Sequence, residues 1–401
     1  MRSIALGFWI GAGSRYEEPA QAGVSHFIEH LIFKGTEHYS AWDIARIFDE
    51  MGGELNAATS KEYTVVHARF LDEQLDQAFS VMADMVQRPL FADIDSEREV
   101  VLEEVAMYED SPADLIHDVL AQAVFDGHAL ARAVIGNAEA LRRDDKQAVE
   151  AYHEAHYVKP AIVIAAAGNV DHARLCELAE RRLGTGGAVK APPVPRLATP
   201  VVHHVARFTA KETEQYNVCF GGLGPARDDP RRFALSVVDA ALGGSSSSRL
   251  FQEVREKRGL AYSIYSYSSL YAETGMVAVY VGSRKEALEE ALGIIRDELD
   301  RSITDLPEQE VERAKAHLKG QLVLGMESPH ARMHQLGRSV LTSVEILSLD
   351  EMLAKVEAVT LEQAQALARE FYDLSTWSAV CIGPDPEPFR SATEGFARED
   401  A

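Results

Sequence analysis

Basic residues and cysteines are scarce in this sequence, and no long apolar run occurs; each shortage excludes a class of protein. Lys and Arg number 40 against 63 Asp and Glu, a formal net charge of −23. Nucleic acid is thereby excluded as a partner, because gripping a phosphate backbone takes a basic face. The same imbalance favours cationic ligands such as basic peptides. The three cysteines, Cys176, Cys219 and Cys381, lie far apart with no Cys-x-x-Cys spacing. That argues against a disulfide framework and for a reducing, cytoplasmic setting, and all three read as small core residues. No stretch approaches the roughly 20 apolar residues a membrane helix requires. The run from Ile4 to Ile10 ends at Gly11-Ala12-Gly13, a turn without a cleavage-site pattern, so it reads as a strand and not a signal peptide.

What is present is a chain of 401 residues, 46% apolar, enough for two or three domains. Gly184 to Pro200 is dense in proline and glycine and reads as a linker. The flanking segments repeat one another. Gly11-Ala12-Gly13 with Glu17-Glu18-Pro19 is echoed by Gly222-Leu223-Gly224 with Asp228-Asp229-Pro230, and Glu109-Asp110-Ser111-Pro112 by Met326-Glu327-Ser328-Pro329. Each half closes with a helix leading into an apolar strand, Lys146 to Tyr157 before Ala161 to Ala167, then Leu361 to Tyr372 before Ser378 to Ile382. The expectation is an α+β fold of two homologous domains, residues 1–184 and 201–401, joined by 185–200. Each would hold a mostly antiparallel sheet covered on one face by helices. Glu54 to Ser60 and Tyr63 to Phe70 read as a hairpin, and Asp95 to Asp110 as a long helix.

The main chemical signal is His26-Phe27-Ile28-Glu29-His30, inside a helical pattern from Ala20 to Phe33. Residues four apart share a helix face, so both imidazoles reach one ion. Glu29 lies near that face and approaches a bound water without being a ligand. Zinc needs a third protein ligand, and a catalytic site leaves the fourth position to water. The stretch from Glu97 to Val105 offers several carboxylates, with Glu97 and Glu104 two helical turns apart on one face. Spacing alone leaves this helix equally readable as a solvated acidic surface.

Three other clusters read as non-catalytic. His153 and His156 are only three apart, with no carboxylate-bearing partner helix, and fit a helix surface. His203 and His204 begin a strand and point to opposite faces. Gly243-Gly244 before Ser245 to Ser248 lacks the Lys-Ser/Thr ending of a phosphate loop and reads as a flexible turn.

Taken together, these motifs resemble the pitrilysin/insulinase family of zinc peptidases, in particular its mitochondrial-processing-peptidase-like branch, over nearly the whole chain. The resemblance implies one Zn2+ per chain, with His26 and His30 as ligands, Glu104 as the third, Glu97 as the carboxylate that steadies them, and Glu29 as the general base. The stretch Ser248 to Tyr262 is similar to the family's substrate-side motif, which implies that Arg255 and Tyr262 hold a substrate carbonyl and stabilise the developing oxyanion. Gly52 to Thr59 resembles the edge strand that receives an extended substrate, with Asn56 and Ala57 on the substrate backbone. The second half lacks the metal set. Aligned through Pro19 and Pro230, then through Pro112 and Pro329, the four positions fall on Val237, Ala240, Ala241 and Gln321. The implied activity is zinc-dependent hydrolysis of short or unfolded, basic polypeptides in an enclosed chamber. A homodimer, or a heterodimer with an inactive homologue, is implied, without membrane or nucleic acid. The alternative is a non-catalytic scaffold subunit of the same fold, which predicts loss of one or more of His26, Glu29, His30 and Glu104.

Overall fold

Alternation along the opening segment organises the first sheet. In the computed structural model, which describes residues 2–184, 197–201, 204–394 and 398–399, the segment Ser3–Ile10 is strand β1. Its Ile4, Leu6, Phe8 and Ile10 face one core, and Ala5 and Trp9 face another. A strand buried on both sides reads as the continuous apolar run the sequence displays. The further strands are β2 Glu54–Thr59, β3 Thr64–Leu71, β4 Ile162–Gly168, β5 Val205–Ala210, β6 Tyr216–Gly224, β7 Ala261–Leu270, β8 Gly275–Ser283, β9 Ser378–Gly383 and β10 Arg398–Glu399. The helices are α1 Val24–Leu31, α2 Ala41–Glu50, α3 Leu75–Gln87, α4 Ile94–Glu109, α5 Pro112–Val124, α6 Ala138–Arg143, α7 Lys146–His156 and α8 His172–Leu183, then α9 Arg232–Leu242, α10 Lys285–Thr304, α11 Glu308–Met326, α12 Pro329–Leu341, α13 Leu349–Glu357, α14 Leu361–Phe371 and α15 Glu387–Thr393.

The first sheet has the order β2-β3-β1-β4, every neighbour antiparallel, with β2 and β4 at its edges. The second has the order β10-β5-β9-β6-β8-β7 and is antiparallel except where β5 pairs with β9 and with β10. The fold is thus α+β with antiparallel-rich sheets. The expected hairpin and long helix appear as β2–β3 and α4. Residues 185–196, most of the expected linker, lie outside the described residues, as does His203. His204 precedes β5 and is not in it.

The chain forms two compact units: residues 1–107, 132–195 and 324–346 in one, residues 108–131, 196–323 and 347–401 in the other. These differ from a simple division into halves because two helices related by the repeat change sides. Helix α12, from late in the chain, lies on β1 and β4 of the first sheet, and α5 lies on β6 and β9 of the second. Helices therefore cover both faces of the first sheet, not the single face expected. One side is the core of α1, α3 and the even positions of β1, and the other is α12 against Ala5, Trp9 and Val65. Two glycines allow that second contact. A Cβ on Gly7 would lie 2.5 Å from Met333 Sδ, and one on Gly337 would lie 2.0 Å from Trp9 Nε1. Periodicity identifies apolar faces but not which distant segment covers them.

Burial corrects three further expectations. His153 is buried, not on a surface; its Nε2 meets Val86 O at 2.9 Å, and its ring lies 4.5 Å from that of Tyr157. Cys219 and Cys381 are buried as expected, but Cys176 is exposed on α8, which has Leu178 as its one buried residue. Ser248 is buried, and a Cβ on Gly243 would meet Ser266 N at 2.3 Å, so the Gly-Ser segment is a fitted turn.

Candidate metal centre

The inverted motif lies on a shorter helix than its apolar pattern suggests. A single turn of 3-10 helix at Pro19–Gln21 comes first, and α1 begins after Gly23. Gly23 sits at φ +100°, a left-handed conformation in which a Cβ would also lie 2.9 Å from Ile135 O. The first turn is anchored from outside: Glu17 accepts hydrogen bonds from Gly23 N at 2.8 Å and Ser25 N at 2.9 Å. A carboxylate at a helix N-terminus satisfies orphan N–H groups and complements the dipole. The buried Phe27, Ile28 and Leu31 fix the rotation of α1 and leave His26 and His30 side by side, ring centroids 4.8 Å apart.

Helix α4 brings the acids. Glu104 Oε2 lies 3.2 Å from His30 Nε2 and 3.7 Å from His26 Nε2. One donor atom each from His26, His30 and Glu104 falls within 4.8 Å of the others. Glu97 is buried at the same helix face, with Oε1 3.0 Å from His30 Nδ1 and Oε2 2.6 Å from Lys34 Nζ. That carboxylate orients the His30 ring so that Nε2 is turned to Glu104, the arrangement by which outer carboxylates fix a ligating imidazole. Burial lowers the His26 pKa, opposed by the charges of Glu29 and Glu104, and the neighbouring His30 lowers it further. The ring is thus biased to the neutral form that ligates metals. His26 Nδ1 is buried without a hydrogen-bond partner. Two imidazoles and one carboxylate within this span fit a zinc ion with an open fourth position.

Glu29 stands apart from that donor set. Its Oε2 accepts a hydrogen bond from Thr59 Oγ1 at 2.6 Å, at the end of the edge strand β2. Thr59 and Lys34 were not among the sequence-level site residues. Their contacts join segments far apart in the chain, so no local spacing announces them. Asn56 is exposed on β2 and its Oδ1 accepts from Ala57 N at 2.9 Å, while Ala57 is buried. Arg255 and Tyr262 belong to the second unit, where a π-helical turn Phe251–Glu256 precedes β7. The Arg255 guanidinium lies 4.3 Å from the Tyr262 ring centroid, and its Nη1 donates to Tyr262 O at 3.0 Å. Tyr262 is 75% exposed. At the repeat-related positions, Val237, Ala240 and Ala241 are buried in α9, and Gln321 is exposed on α11. A metal set cannot be rebuilt from those side chains.

Comparison with known proteins follows the same division. The family model described as Insulinase (Peptidase family M16) matches residues 2–138, and that described as Peptidase M16 inactive domain matches residues 145–318. The chain belongs to the insulinase family, M16. Among its M16 relatives, a protein of Streptomyces coelicolor named as an uncharacterized zinc protease is 43% identical over 379 residues, 92% of this chain and 83% of the relative. One of the same description in Bacillus subtilis is 39% identical over 376 residues, 93% of this chain and 91% of the relative. The crystal structure of a peptidase M16 inactive domain from Pseudomonas fluorescens superposes with a TM-score of 0.89 at 23% identity, over 96% of this chain and 94% of that one, a likeness of fold. Among the described residues, no helix is long and apolar enough to cross a membrane.

Proposed function

We propose that this M16 chain is a zinc-dependent endopeptidase acting on extended or unfolded polypeptides. The observation that carries the reading is the convergence of His26, His30 and Glu104 within 4.8 Å, with Glu29 on the same helix left outside the set. A zinc ion held there supplies Lewis-acid polarisation of a peptide carbonyl and lowers the pKa of a water. The remaining work falls to the chain. Glu29, steadied by Thr59, takes the proton of the attacking water, and after the C–N bond breaks it delivers that proton to the leaving amine nitrogen. Glu97 and Lys34 keep the His30 ring in place. Strand β2 has one edge free of sheet partners among the described residues, which suits a substrate backbone passing Asn56 and Ala57. Arg255 and Tyr262 are assigned to the substrate side, as oxyanion and carbonyl contacts.

The net charge of −23 supports basic peptides as preferred substrates, cleaved more slowly as salt screens the attraction. A homodimer is the proposed working form. The decisive comparison is the whole protein against Glu29→Gln, with metal content and cleavage of a basic fluorogenic peptide measured together. Unchanged metal content with cleavage lowered by at least about 100-fold is expected, the scale of a lost general base. Equal cleavage by both proteins would remove Glu29 from the mechanism, and a metal-loaded wild type without cleavage would favour a non-catalytic role for the chain.

A further inference from the structure

A second histidine cluster lies in the first unit, on the sheet face opposite α1. His67 projects from the middle of β3, where it pairs with Gly7 on one side and Asn56 on the other. Its register partner Gly7 lies between Ala5 and Trp9, the β1 residues that face α12. From α12 come His330 and His334, four residues apart, the same spacing as His26 and His30. The ring centroids are 4.9 Å apart for His67 and His330, 5.2 Å for His67 and His334, and 4.3 Å for His330 and His334. One nitrogen from each ring lies within 4.8 Å of the others.

Three imidazoles so close repel one another when protonated, so a shared ligand that takes their lone pairs suits the arrangement. His334 Nε2 is shielded from solvent and has no hydrogen-bond partner. No ion pair between these rings and an acid occurs among the described residues, and the His334 Nε2 lone pair is not taken up by a protein donor. The internal repeat supplies a control. Through Pro112 and Pro329, His334 corresponds to His117 on α5. There both ring nitrogens are served, Nδ1 by Tyr267 Oη at 2.7 Å and Nε2 by Tyr265 Oη at 3.0 Å. The same position on the duplicated helix is thus satisfied by hydroxyls in one unit, and in the other it faces two imidazoles and, at 5.0 Å between ring centroids, the Trp9 indole.

We propose that His67, His330 and His334 form a second metal site, which binds a late first-row divalent ion such as Zn2+ or Cu2+ through three neutral imidazoles. Nitrogen donors and the absence of carboxylate select this class over Mg2+ or Ca2+. Tetrahedral coordination at about 2.0–2.1 Å sets donors about 3.3 Å apart, so no pair needs to close by more than about 1.5 Å on loading. All three side chains are partly exposed, which gives them room to rotate and leaves the fourth position to water. The ion would tie α12 to β3 and so fasten a late segment of the chain to the first sheet. The proposal is independent of peptidase activity, since none of its ligands belongs to the α1 site.

The test is a metal titration of the whole, chelator-stripped protein, using Zn2+ with elemental analysis and Cu2+ with electron paramagnetic resonance. Wild type should take up two Zn2+ per chain, and the Cu2+ spectrum should display nitrogen hyperfine structure from this site. His334→Gln and, separately, His330→Ala should each lose one equivalent while keeping the far-ultraviolet circular dichroism of wild type, with second-site affinity weakened by more than about tenfold. His26→Ala should lose the other equivalent and keep this one. A thermal transition raised by Zn2+ in His26→Ala but not in His26→Ala/His334→Gln is the second readout. The proposal is overturned if His26→Ala binds no ion, or if His334→Gln and His330→Ala both bind as many ions as wild type.

Discussion

At the scale of single residues, Asp239 is an acid placed where a charge is costly and no chemistry uses it. Asp239 is on α9, between the positions that correspond to His26 and Glu29 of the motif helix. Its Oδ1 is buried without a partner, and burial pushes its pKa up to about 6, offset in part by Ser266. The folded pKa therefore exceeds the unfolded value of about 3.9. The stability this carboxyl contributes is complete while it is protonated in both states, and it is lost as pH rises through about 6. Asp239→Asn should match wild type in urea unfolding at pH 4 and exceed it at pH 8, by up to about 3 kcal/mol. A gain independent of pH would refute the assignment. The sequence announced residue roles where a local spacing encoded them and concealed them otherwise. His26, Glu29 and His30 share one helix, so their meeting was legible. Glu104 was one of several acids on its helix, and contact with His30 singles it out. Thr59 and His67 pair with groups more than 25 residues away, so nothing local marked them.

At the scale of elements, α12 shows how closely a helix and a sheet approach when glycines face the contact. Trp9 and Met333 fill the space that side chains at Gly337 and Gly7 would need. Gly337→Ala should lower stability by about 1–3 kcal/mol, the usual consequence of overpacking a filled interior. Gly320 on α11 has no atom near its would-be Cβ. Gly320→Ala should therefore raise stability by up to about 1 kcal/mol through helix propensity alone. Denaturant midpoints of the two variants should move in opposite directions, and parallel movement would discard the packing argument. Most elements were readable from periodicity, because β1 to β3 and α4 have uniform patterns bounded by turns. The start of α1 was not, since its apolar spacing runs on through Gly23, and the break comes from backbone conformation and from the Glu17 carboxylate. Nor was the covering of β1 by α12, because two apolar surfaces carry no label of their partner.

At the scale of the whole molecule, the exchange of α5 and α12 makes each unit depend on the other half of the chain. Residues 1–184 contain the complete first sheet and the α1 site but not α12. Without α12, Trp9, Val65, Ala165 and Ala167 lose the Met333 side of their cluster. Burying one large apolar side chain is worth about 1.5–3 kcal/mol, and a domain has only about 5–15 kcal/mol in hand. Several such losses at once bring the fragment near the limit of stability, with a broad apolar sheet face in water. Residues 1–184 expressed alone should associate, bind a hydrophobic dye and lack a cooperative thermal transition. Co-expression with residues 185–401, which restores α12, should return a soluble complex with the far-ultraviolet spectrum of the intact chain. If the fragment alone is monomeric and melts cooperatively, α12 is an ornament on a self-sufficient domain. In that case the two halves are units of folding, and the division of the structure into interlaced units describes contact only.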